Sequence, residues 1–485
     1  MAEIKKNITV GIDFGTTNSL IAFVNEDSKV IVVPVNEDLS RSTLLPSVVR
    51  HDSLGKSTEI ISVKRLIGDN PTRKKYINYF GGEEFDFGKN IISMAMGIFK
   101  NLRSKAEEYT ESTITDAVIT VPAHFNDSAR ISIKTAAELA GFNVIRMINE
   151  PTAAAIAHCM LDNLNDRSIM VYDLGGGTFD ISILQVRNRI FRVISTSGDS
   201  TLGGDDFDIA LANLLNAKCG FEEKVITNDM VLQARKIKEI LSLYDNYTGS
   251  WRDHEVCCTR CEFEEATQTL VDRTFDVMHI ALKDAQLSLN DIREVIFVGG
   301  ATRMPMIKEK AKRYMNGLQV DFLADSIILP EEAVVIGAAM HAKSLSSQNG
   351  THLLLDVIPL SIGIEVLGGA VECIIPRNTP IPIMMKSVFT NSHEEQNSFD
   401  IHITQGEGEH VMQCKTLAKF KVPIIHKVKK QEAKLELLFC IDVNGILSVT
   451  AVERVGGTVR DVIIKPQYNL SEEEINALFI KENET

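Results

Sequence analysis

Two distant stretches of the chain share the same order of residue types, and this repetition constrains the fold more than any other feature. Val10–Ser19 reads VGIDFGTTNS and Ile169–Ile181 reads IMVYDLGGGTFDI. In each stretch, apolar residues typical of a buried strand end at an aspartate, and a turn of glycine and threonine follows. Glycine lets the backbone approach a phosphate closely, and threonine hydroxyls add donors. One copy alone is typical of a plain tight turn, but two matching copies predict a pair of phosphate-binding loops.

The aspartates that end the two strands, Asp13 and Asp173, indicate a metal ion. A carboxylate does not favour a phosphate directly, whereas Mg²⁺ is held by few carboxylates, several waters and phosphate oxygens. The loops therefore predict a clamp on a magnesium nucleotide. A third turn, Gly299-Gly300, follows the apolar run Ile296–Val298. Alone it is typical of a strand-to-helix turn, but beside the other two loops it predicts the nucleoside site, with Arg303 stacking on a base.

The first part of the chain alternates between the two kinds of secondary structure. Apolar runs predict strands at Ile8–Asp13, Ala117–Val121 and Ile169–Asp173. Between them, apolar residues at helical spacing predict a helix over Asp127–Ala140, and Pro151 opens another. This alternation predicts an α/β layer fold.

The pattern changes after Ser344–Gly350, whose composition is typical of a linker. Short runs that alternate apolar and polar residues, such as Phe399–Ile403, then predict an antiparallel β-sandwich over residues 357–465. Asn444-Gly445 predicts a two-residue hairpin turn. Beyond it, Ser471–Glu474 predicts the capped start of a helix.

Charge and cysteine content narrow the classes of function. With 51 Lys and Arg against 65 Asp and Glu, the net charge of −14 argues against general binding of nucleic acid or anionic membranes. The start of the chain shows no apolar signal core, and no run of ~20 uncharged apolar residues occurs, so a reducing cytoplasm is expected. Cys257, Cys258 and Cys261 include a C-x₂-C pair, but a tetrahedral site needs two more ligands, so we expect incidental thiols.

Longer motifs resemble one family, the DnaK-type heat-shock chaperones of the seventy-kilodalton class. The motifs that carry the resemblance are Gly11–Ser19, Lys64–Gly68, Ile119–Ala123, Ile148–Ala155, Asp173–Asp180, Leu202–Asp208 and Leu353–Val357. The resemblance implies an α/β, actin-like, two-lobed ATPase domain at 1–343 and an interdomain linker at 344–357. It also implies a β-sandwich peptide-binding domain at 358–468 and, at 469–485, the first turns of a helical lid that is otherwise largely absent.

The resemblance also implies roles for individual residues. The catalytic residues would be Lys64, Glu150, Asp173 and Thr178. Asp13 and Asp173 would hold Mg²⁺ through water. ATP or ADP would be bound by Asp13, Gly15, Thr16, Thr17, Asn18, Gly175, Gly176, Gly177, Gly203, Gly204, Lys238, Ser242, Gly299, Gly300 and Arg303. Extended peptides would be bound by Ile364, Leu367, Phe389, Ser392, Phe399 and Ile401.

Several segments are most similar to the HscA branch, which serves iron–sulfur cluster assembly; the general folding chaperone is the alternative. These segments include Gly198–Asp206, Asp356–Leu360 and Ile375–Thr379. The branch implies an ATP-driven chaperone with a J-domain co-chaperone of the HscB type and an iron–sulfur scaffold protein of the IscU type as client. In this family Leu353–Val357 would be a signalling segment that docks on the ATPase domain, although alone it is typical of a first strand of the next domain.

The chain departs from the family pattern at four places. Arg235 stands where a glutamate usually accepts from the ribose, which predicts weaker nucleotide binding. Asn18 replaces a common aromatic residue. The segment between Asp208 and Ile296, which shapes nucleotide exchange in the family, is shorter, so an exchange factor is expected to be unnecessary. Phe399 predicts a narrower peptide pocket that favours small client side chains.

Three other functions remain open at this point. A small-molecule kinase of the actin-like superfamily and a nucleotide-binding filament protein are both disfavoured by the β-sandwich. A peptide-binding module with an inactive ATPase is disfavoured because the catalytic residues are retained, and Arg235 alone favours it.

Overall fold

The computed structural model describes residues 8–35, 42–53, 56–68, 87–161, 166–221, 226–315, 319–322, 329–347, 350–424, 428–454 and 459–463. These residues divide into two compact units. The first takes in described residues within 8–124 and 135–354, and the second takes in those within 125–134 and 355–463. Among the described residues, no helix is long and apolar enough to cross a membrane.

Helices and strands alternate from residue 8 to residue 355; within this range, residues 125–134 and Leu355 belong to the second unit and the rest to the first. The helices are α1 (Val63–Gly68), α2 (Phe87–Thr110), α3 (Asp127–Leu139), α4 (Glu150–Leu161), α5 (Gly204–Lys218), α6 (Asn228–Leu243), α7 (Arg260–Ala285), α8 (Pro305–Tyr314) and α9 (Ala333–Ser346). The strands are β1 (Ile8–Phe14), β2 (Asn18–Val24), β3 (Val30–Val32), β4 (Leu45–Pro46), β5 (Val49–Ser53), β6 (Lys56–Ile60), β7 (Ile114–Val121), β8 (Asn143–Asn149), β9 (Arg167–Leu174), β10 (Phe179–Arg187), β11 (Ile190–Asp199), β12 (Asn246–Trp251), β13 (His254–Thr259), β14 (Glu294–Val298), β15 (Gln319–Phe322) and β16 (Leu353–Leu355).

Two mixed sheets of six strands repeat one arrangement. In the first, the order is β3-β2-β1-β7-β8 with β4 beside β2, and in the second it is β15-β14-β9-β10-β11-β16. Strand β1 is antiparallel to β2 and parallel to β7, just as β9 is antiparallel to β10 and parallel to β14. The repetition seen in the sequence is therefore a structural repetition. It confirms the predicted α/β class with two actin-like halves.

Burial explains why these segments form strands and helices. Strand β9 carries Ile169, Met170 and Val171 fully buried, as expected for a strand covered on both faces. In α3, Ala129 and Ile133 are fully buried at helical spacing. Gly141 follows this helix with φ +85°, a left-handed conformation that glycine adopts without strain.

The second unit is an antiparallel β-sandwich. Its strands are β17 (Ile362–Glu365), β18 (Val371–Ile375), β19 (Ile383–Thr390), β20 (Ser398–Gln405), β21 (Lys415–Pro423), β22 (Lys434–Ile441), β23 (Leu447–Glu453) and β24 (Val459–Ile463). They form two sheets of four, in the orders β18-β17-β20-β21 and β19-β22-β23-β24. Side chains of both sheets, such as Ile403 and Phe439, share one buried core. The predicted sandwich is confirmed.

Two local predictions were wrong. Helix α9 continues to Ser346, so the start of the predicted linker Ser344–Gly350 is helical. Ser344 is buried, and its hydroxyl accepts from the Thr351 amide at 2.9 Å, which ties the helix end to the following chain. Asn444-Gly445 does lie in a hairpin, but the Asp442 amide donates to the Ile446 carbonyl at 3.0 Å. The loop between these two residues therefore has three residues rather than two. Gly445 alone takes the left-handed conformation, with φ +78°.

The segment that follows α9 is a strand of the first unit. Strand β16 lies at the edge of the second mixed sheet, beside β11. The Leu353 amide donates to the Arg189 carbonyl at 3.1 Å, and Leu354 is 7% exposed. Sequence alone favoured a first strand of the next domain, whereas the structure pairs the segment with the mixed sheet, as the family resemblance implied. The remaining predicted helix, from Ser471, lies outside the described residues.

Candidate functional site

A cavity of about 580 Å³ lies in the first unit, where the predicted phosphate loops end their strands. It gathers most residues that the resemblance assigned to the nucleotide. Those lining it are Asp13, Gly15, Thr16, Thr17, Asn18, Lys64, Glu150, Asp173, Gly175, Gly176, Thr178, Gly204, Lys238, Ser242, Gly299, Gly300 and Arg303. Gly177 and Gly203 are not part of the lining and pack against each other behind it.

The two predicted loops face and touch each other. Each is the hairpin turn between two antiparallel strands, β1–β2 for the first and β9–β10 for the second. A Cβ atom on Gly176 would lie 2.3 Å from the Thr17 hydroxyl, and one on Gly177 would lie 2.7 Å from the Thr16 methyl group. The close approach of the two loops therefore requires glycine at both positions.

Helix α5 fixes the second loop from behind. The amides of Gly204 and Asp205 donate to the carbonyls of Gly175 and Gly176, at 2.9 and 2.7 Å. The Asp206 carboxylate in turn accepts from the Gly203 amide at 2.9 Å and from Arg65 at 2.9 Å. The loop conformation is thus set by main-chain bonds to a helix start rather than by its own sequence alone.

Acidic side chains and one lysine meet at the phosphate-facing end of the cavity. Lys64, which is 2% exposed, forms a short hydrogen bond with Glu150. Asp13 accepts from the Thr120 hydroxyl at 3.0 Å. Asp173, near the end of β9, and Thr178, in the turn immediately before β10, are both buried. Three carboxyl groups thus surround one lysine, and the cluster has more acidic than basic groups.

Burial and mutual repulsion shift the proton affinities of these carboxyls. Burial raises the pKa of Glu150 to about 7, although Lys64 opposes the shift. Burial, followed by repulsion from Glu150 and Asp180, raises the pKa of Asp173 well above its usual range. Burial also raises the pKa of Asp13. A cluster of carboxyls that resist ionisation together would be stabilised by an added cation.

Helix α6 forms one wall of the other end of the cavity. The helix begins after Thr227, whose hydroxyl accepts from the Met230 amide at 3.4 Å. Its predicted residues Lys238 and Ser242 lie one turn apart and both face the cavity. The Lys238 ammonium contacts the Gly204 carbonyl at 3.1 Å and Asp208 at 2.7 Å, which ties α6 to α5.

Arg235 also lines this wall, but acidic residues hold its guanidinium. Its Nη2 donates to Asp205 at 2.7 Å and its Nε donates to Asp208 at 3.1 Å. Asp205 accepts in addition from the Ser62 hydroxyl at 2.6 Å. Burial lowers the pKa of Arg235, but Asp205 and Asp208 outweigh it and leave that pKa above its usual value. The residue that departs from the family pattern is therefore an internal bridge.

The opposite wall follows the third predicted turn. Gly299 has φ +87°, and a Cβ there would lie 2.3 Å from the Leu174 carbonyl, so both conformation and packing require glycine. Arg303 makes two parallel hydrogen bonds to Glu331, at 2.7 and 2.9 Å. This bidentate pair fixes the plane of the guanidinium beside the cavity. Arg303 is therefore held as a flat surface on which a base can stack.

Sequence reasoning missed several residues of the cavity. Asp208, Glu239 and Glu331 line it, although none was predicted to do so. A signal for Glu239 was present, because Arg235, Lys238, Glu239 and Ser242 fall on one helical face at spacings of three, four and seven. The pairings of Asp208 and Glu331 bring together residues far apart in sequence, and no local pattern reveals them.

The structure does not assemble a direct metal site around the cysteines. Among the described residues, no group of three or more His, Cys, Asp or Glu could hold a metal ion directly. Cys258 is buried in the core, whereas Cys257 and Cys261 are exposed.

The predicted peptide residues fall into two groups in the β-sandwich. Ile364, Phe399 and Ile401 belong to its buried core, and Phe389 packs partly against that core. Ser392 is exposed, and Leu367 is 93% exposed. Leu367 projects from a tight turn in which Gly368 and Gly369 both have positive φ. The peptide role of all six residues stays a prediction.

Comparison with known proteins decides the family. The model of the Hsp70 protein family matches residues 60–485 of the chain. The chain is 39% identical to a chaperone protein HscA homolog of Rickettsia prowazekii (strain Madrid E), over 98% of this chain and 80% of the relative. It is 37% identical to the chaperone protein HscA of Photorhabdus laumondii, over 99% of this chain and 82% of that protein.

The chain belongs to the Hsp70 family. The predicted resemblance to the HscA branch is confirmed by these relatives, which match it over nearly its whole length. Hsp70 proteins are ATP-dependent chaperones, so the predicted ATPase and chaperone activities are confirmed at the level of the family. ATP is accordingly the nucleotide that this family binds.

Proposed function

We propose that the chain hydrolyses ATP in the cavity between the two loops and uses the cycle to bind and release extended peptides. The observation that carries this proposal is the facing pair of Gly/Thr turns, each of which follows a strand with an aspartate near its end. Phosphoryl transfer depends mainly on positioning and on stabilising charge, and backbone donors with a fixed lysine supply both. Lys64 would lie beside the terminal phosphate and the attacking water, and Thr178 would hold that phosphate.

The acidic cluster fits a hydrated magnesium ion. Lys64 attracts all three carboxylates of the cluster, Asp13, Glu150 and Asp173. When bound through water by Asp13 and Asp173, magnesium would neutralise phosphate charge. Glu150 would order the water shell. Gly15, Thr16, Thr17, Asn18, Gly175, Gly176 and Gly204 would hold the phosphates, with Gly177 and Gly203 supporting them from behind.

The nucleoside would lie between α6 and the turn after β14. Arg303, fixed by Glu331, would stack on the adenine. Lys238, Ser242, Gly299 and Gly300 would form the rest of the pocket. Because Arg235 is engaged by two aspartates, it is not available to read the sugar.

The β-sandwich would bind the client as an extended strand. Leu367 projects into solvent from its tight turn and would cover the bound backbone together with Ser392. Ile364, Phe389, Phe399 and Ile401 would form the pocket floor. Main-chain hydrogen bonds with one or two apolar pockets are a common mode of peptide recognition. Phe399 would favour small client side chains; a strong preference for leucine-rich peptides on an array would contradict this.

The relatives named HscA support a dedicated role in iron–sulfur cluster assembly, in the cytoplasm, with a J-domain co-chaperone and a cluster scaffold as client. The test is ATP turnover with and without a J-domain protein and client peptide, followed by capture of partners on the intact chain. Recovery of one iron–sulfur scaffold protein supports the dedicated role. Recovery of many unfolded chains would instead support a general folding chaperone.

A further inference from the structure

The nucleoside end of the cavity carries four carboxylates, and guanidinium groups hold three of them. Arg235 binds Asp205 at 2.7 Å and Asp208 at 3.1 Å. Arg303 binds both oxygens of Glu331, at 2.7 and 2.9 Å. A carboxylate oxygen already paired with a guanidinium has less capacity to accept from a ligand.

The fourth carboxylate, Glu239, is different. It lines the cavity, is exposed, and forms no hydrogen bond or ion pair with any residue that the structure describes. It follows Arg235 by four residues, so the two lie one turn apart on the same face of α6. Lys238 and Ser242 share this face, and all four side chains border the cavity.

A nucleoside sugar offers two hydroxyl donors at this end of the cavity. An ionised carboxylate only accepts hydrogen bonds, and its bonds to hydroxyls are charge-assisted and strong. Arg235 can only donate, and its Nε and Nη2 already donate to Asp208 and Asp205. Of the four carboxylates, Glu239 is the one whose acceptors are open to a ligand.

We propose that Glu239 reads the ribose hydroxyls and is the specificity-determining residue for a ribonucleotide. This inference rests on the proposed placement of ATP in the cavity. Arg235 does not accept hydrogen bonds from the ribose, and Glu239, one helical turn later, does so instead. A nucleotide that lacks both hydroxyls leaves the carboxylate without its ligand donors, so the pocket discriminates against it.

The test compares nucleotides at equilibrium, with the full chain and a fluorescent ADP as the displaced probe. ATP and 2′,3′-dideoxy-ATP are titrated against the wild type, Glu239→Gln and Glu239→Ala. Glu255→Ala serves as control, because it removes an exposed carboxylate from β13, away from the cavity. Competition is read in binding before hydrolysis is appreciable, so the result does not depend on turnover.

The wild type is expected to bind ATP about tenfold more tightly than the dideoxy nucleotide, the difference that one strong hydrogen bond provides. Glu239→Ala removes this preference by weakening ATP alone, Glu239→Gln retains part of it, and Glu255→Ala retains all of it. An unchanged preference in Glu239→Ala, or equal changes for both nucleotides, overturns the ribose assignment while leaving the nucleotide site intact. If neither nucleotide displaces the probe from the wild type, the proposed site itself fails.

Discussion

The two ends of the cavity are built in different ways. At the phosphate end, two hairpin turns contribute backbone, held by main-chain bonds from α5 to Gly175 and Gly176, and they lie beside the cluster of acidic side chains around Lys64. At the nucleoside end, the wall is made of paired side chains, such as Arg235 with Asp205 and Arg303 with Glu331. A backbone site tolerates few changes at its glycines, whereas a side-chain site can keep its shape while individual residues exchange roles. Such exchange is how Arg235 could stand at a place where the family resemblance predicts glutamate.

The largest effect is expected at the phosphate end, from Lys64→Ala. The variant leaves Glu150 and Asp13 without the cation that acts on both. Loss of one preorganised donor at a charged transition state reduces turnover by about 100-fold or more. Single-turnover hydrolysis of ATP measures it, with Lys236→Ala as control because Lys236 is exposed on α6 and outside the cavity lining. A loss below tenfold would place the reacting phosphate elsewhere.

A glycine pair tests whether the phosphate end depends on backbone packing. A Cβ on Gly203 would lie 2.5 Å from the Gly177 backbone, so Gly203→Ala is expected to destabilise the chain by about 2–3 kcal/mol. Gly97→Ala, in α2, meets nothing within 4 Å and is expected to stabilise by about 0.5–1 kcal/mol. Chemical denaturation measures both changes. Equal effects of the two substitutions would show that the close packing of Gly203 carries no cost.

The raised pKa of Glu150 predicts a pH dependence at the same end. Because burial raises this pKa to about 7, the carboxylate form is present above pH 7 and lost as the pH falls through 7. The acidic limb of kcat/KM for ATP should therefore lie near pH 7 and fall about tenfold per pH unit below it. Glu150→Gln should lose this limb. If the Glu150→Gln variant keeps the acidic limb of the pH profile, another group is responsible for the titration.

The same raised pKa of Glu150 makes folding stability fall, rather than rise, as the pH increases. A carboxyl whose pKa is raised from 4.5 to about 7 contributes stability that is fully present below pH 4.5 and lost as the pH rises to about 7. The free energy of unfolding of the nucleotide-free wild type, measured relative to Glu150→Gln, should fall across this window. A difference that stays constant from pH 4.5 to 7 would contradict the assigned burial.

The smallest effect is expected at the nucleoside end, from Arg235→Glu. This change introduces the glutamate that the family resemblance predicts, but it places a third carboxylate beside Asp205 and Asp208, which are both buried. We expect destabilisation of about 1–3 kcal/mol and no gain in ATP affinity. Arg235→Gln is the neutral control and should lose less. Tighter ATP binding by Arg235→Glu would instead support the prediction that arginine at this position weakens nucleotide binding.

The contrast between the two ends also explains what the sequence could predict. The phosphate loops are local motifs, so Asp13 and Gly176 were found from a strand, an aspartate and a glycine turn. The bridge from Arg235 joins residues 30 and 27 positions apart, and only the tertiary fold brings Asp205 and Asp208 to it. The sandwich was predictable from alternation, but the start of the linker was misjudged because serines near Ser346 also close an apolar helix.

The central claim is that the nucleotide held by these loops governs peptide binding, and one measurement tests it most directly. A labelled extended peptide is bound to the full chain with ADP, and its dissociation is followed after ATP is added. The wild type should release the peptide much faster after ATP than after more ADP. Thr178→Ala should bind ATP but keep the slow ADP rate. If the variant accelerates release as the wild type does, or the wild type shows one rate with both nucleotides, the claim is contradicted.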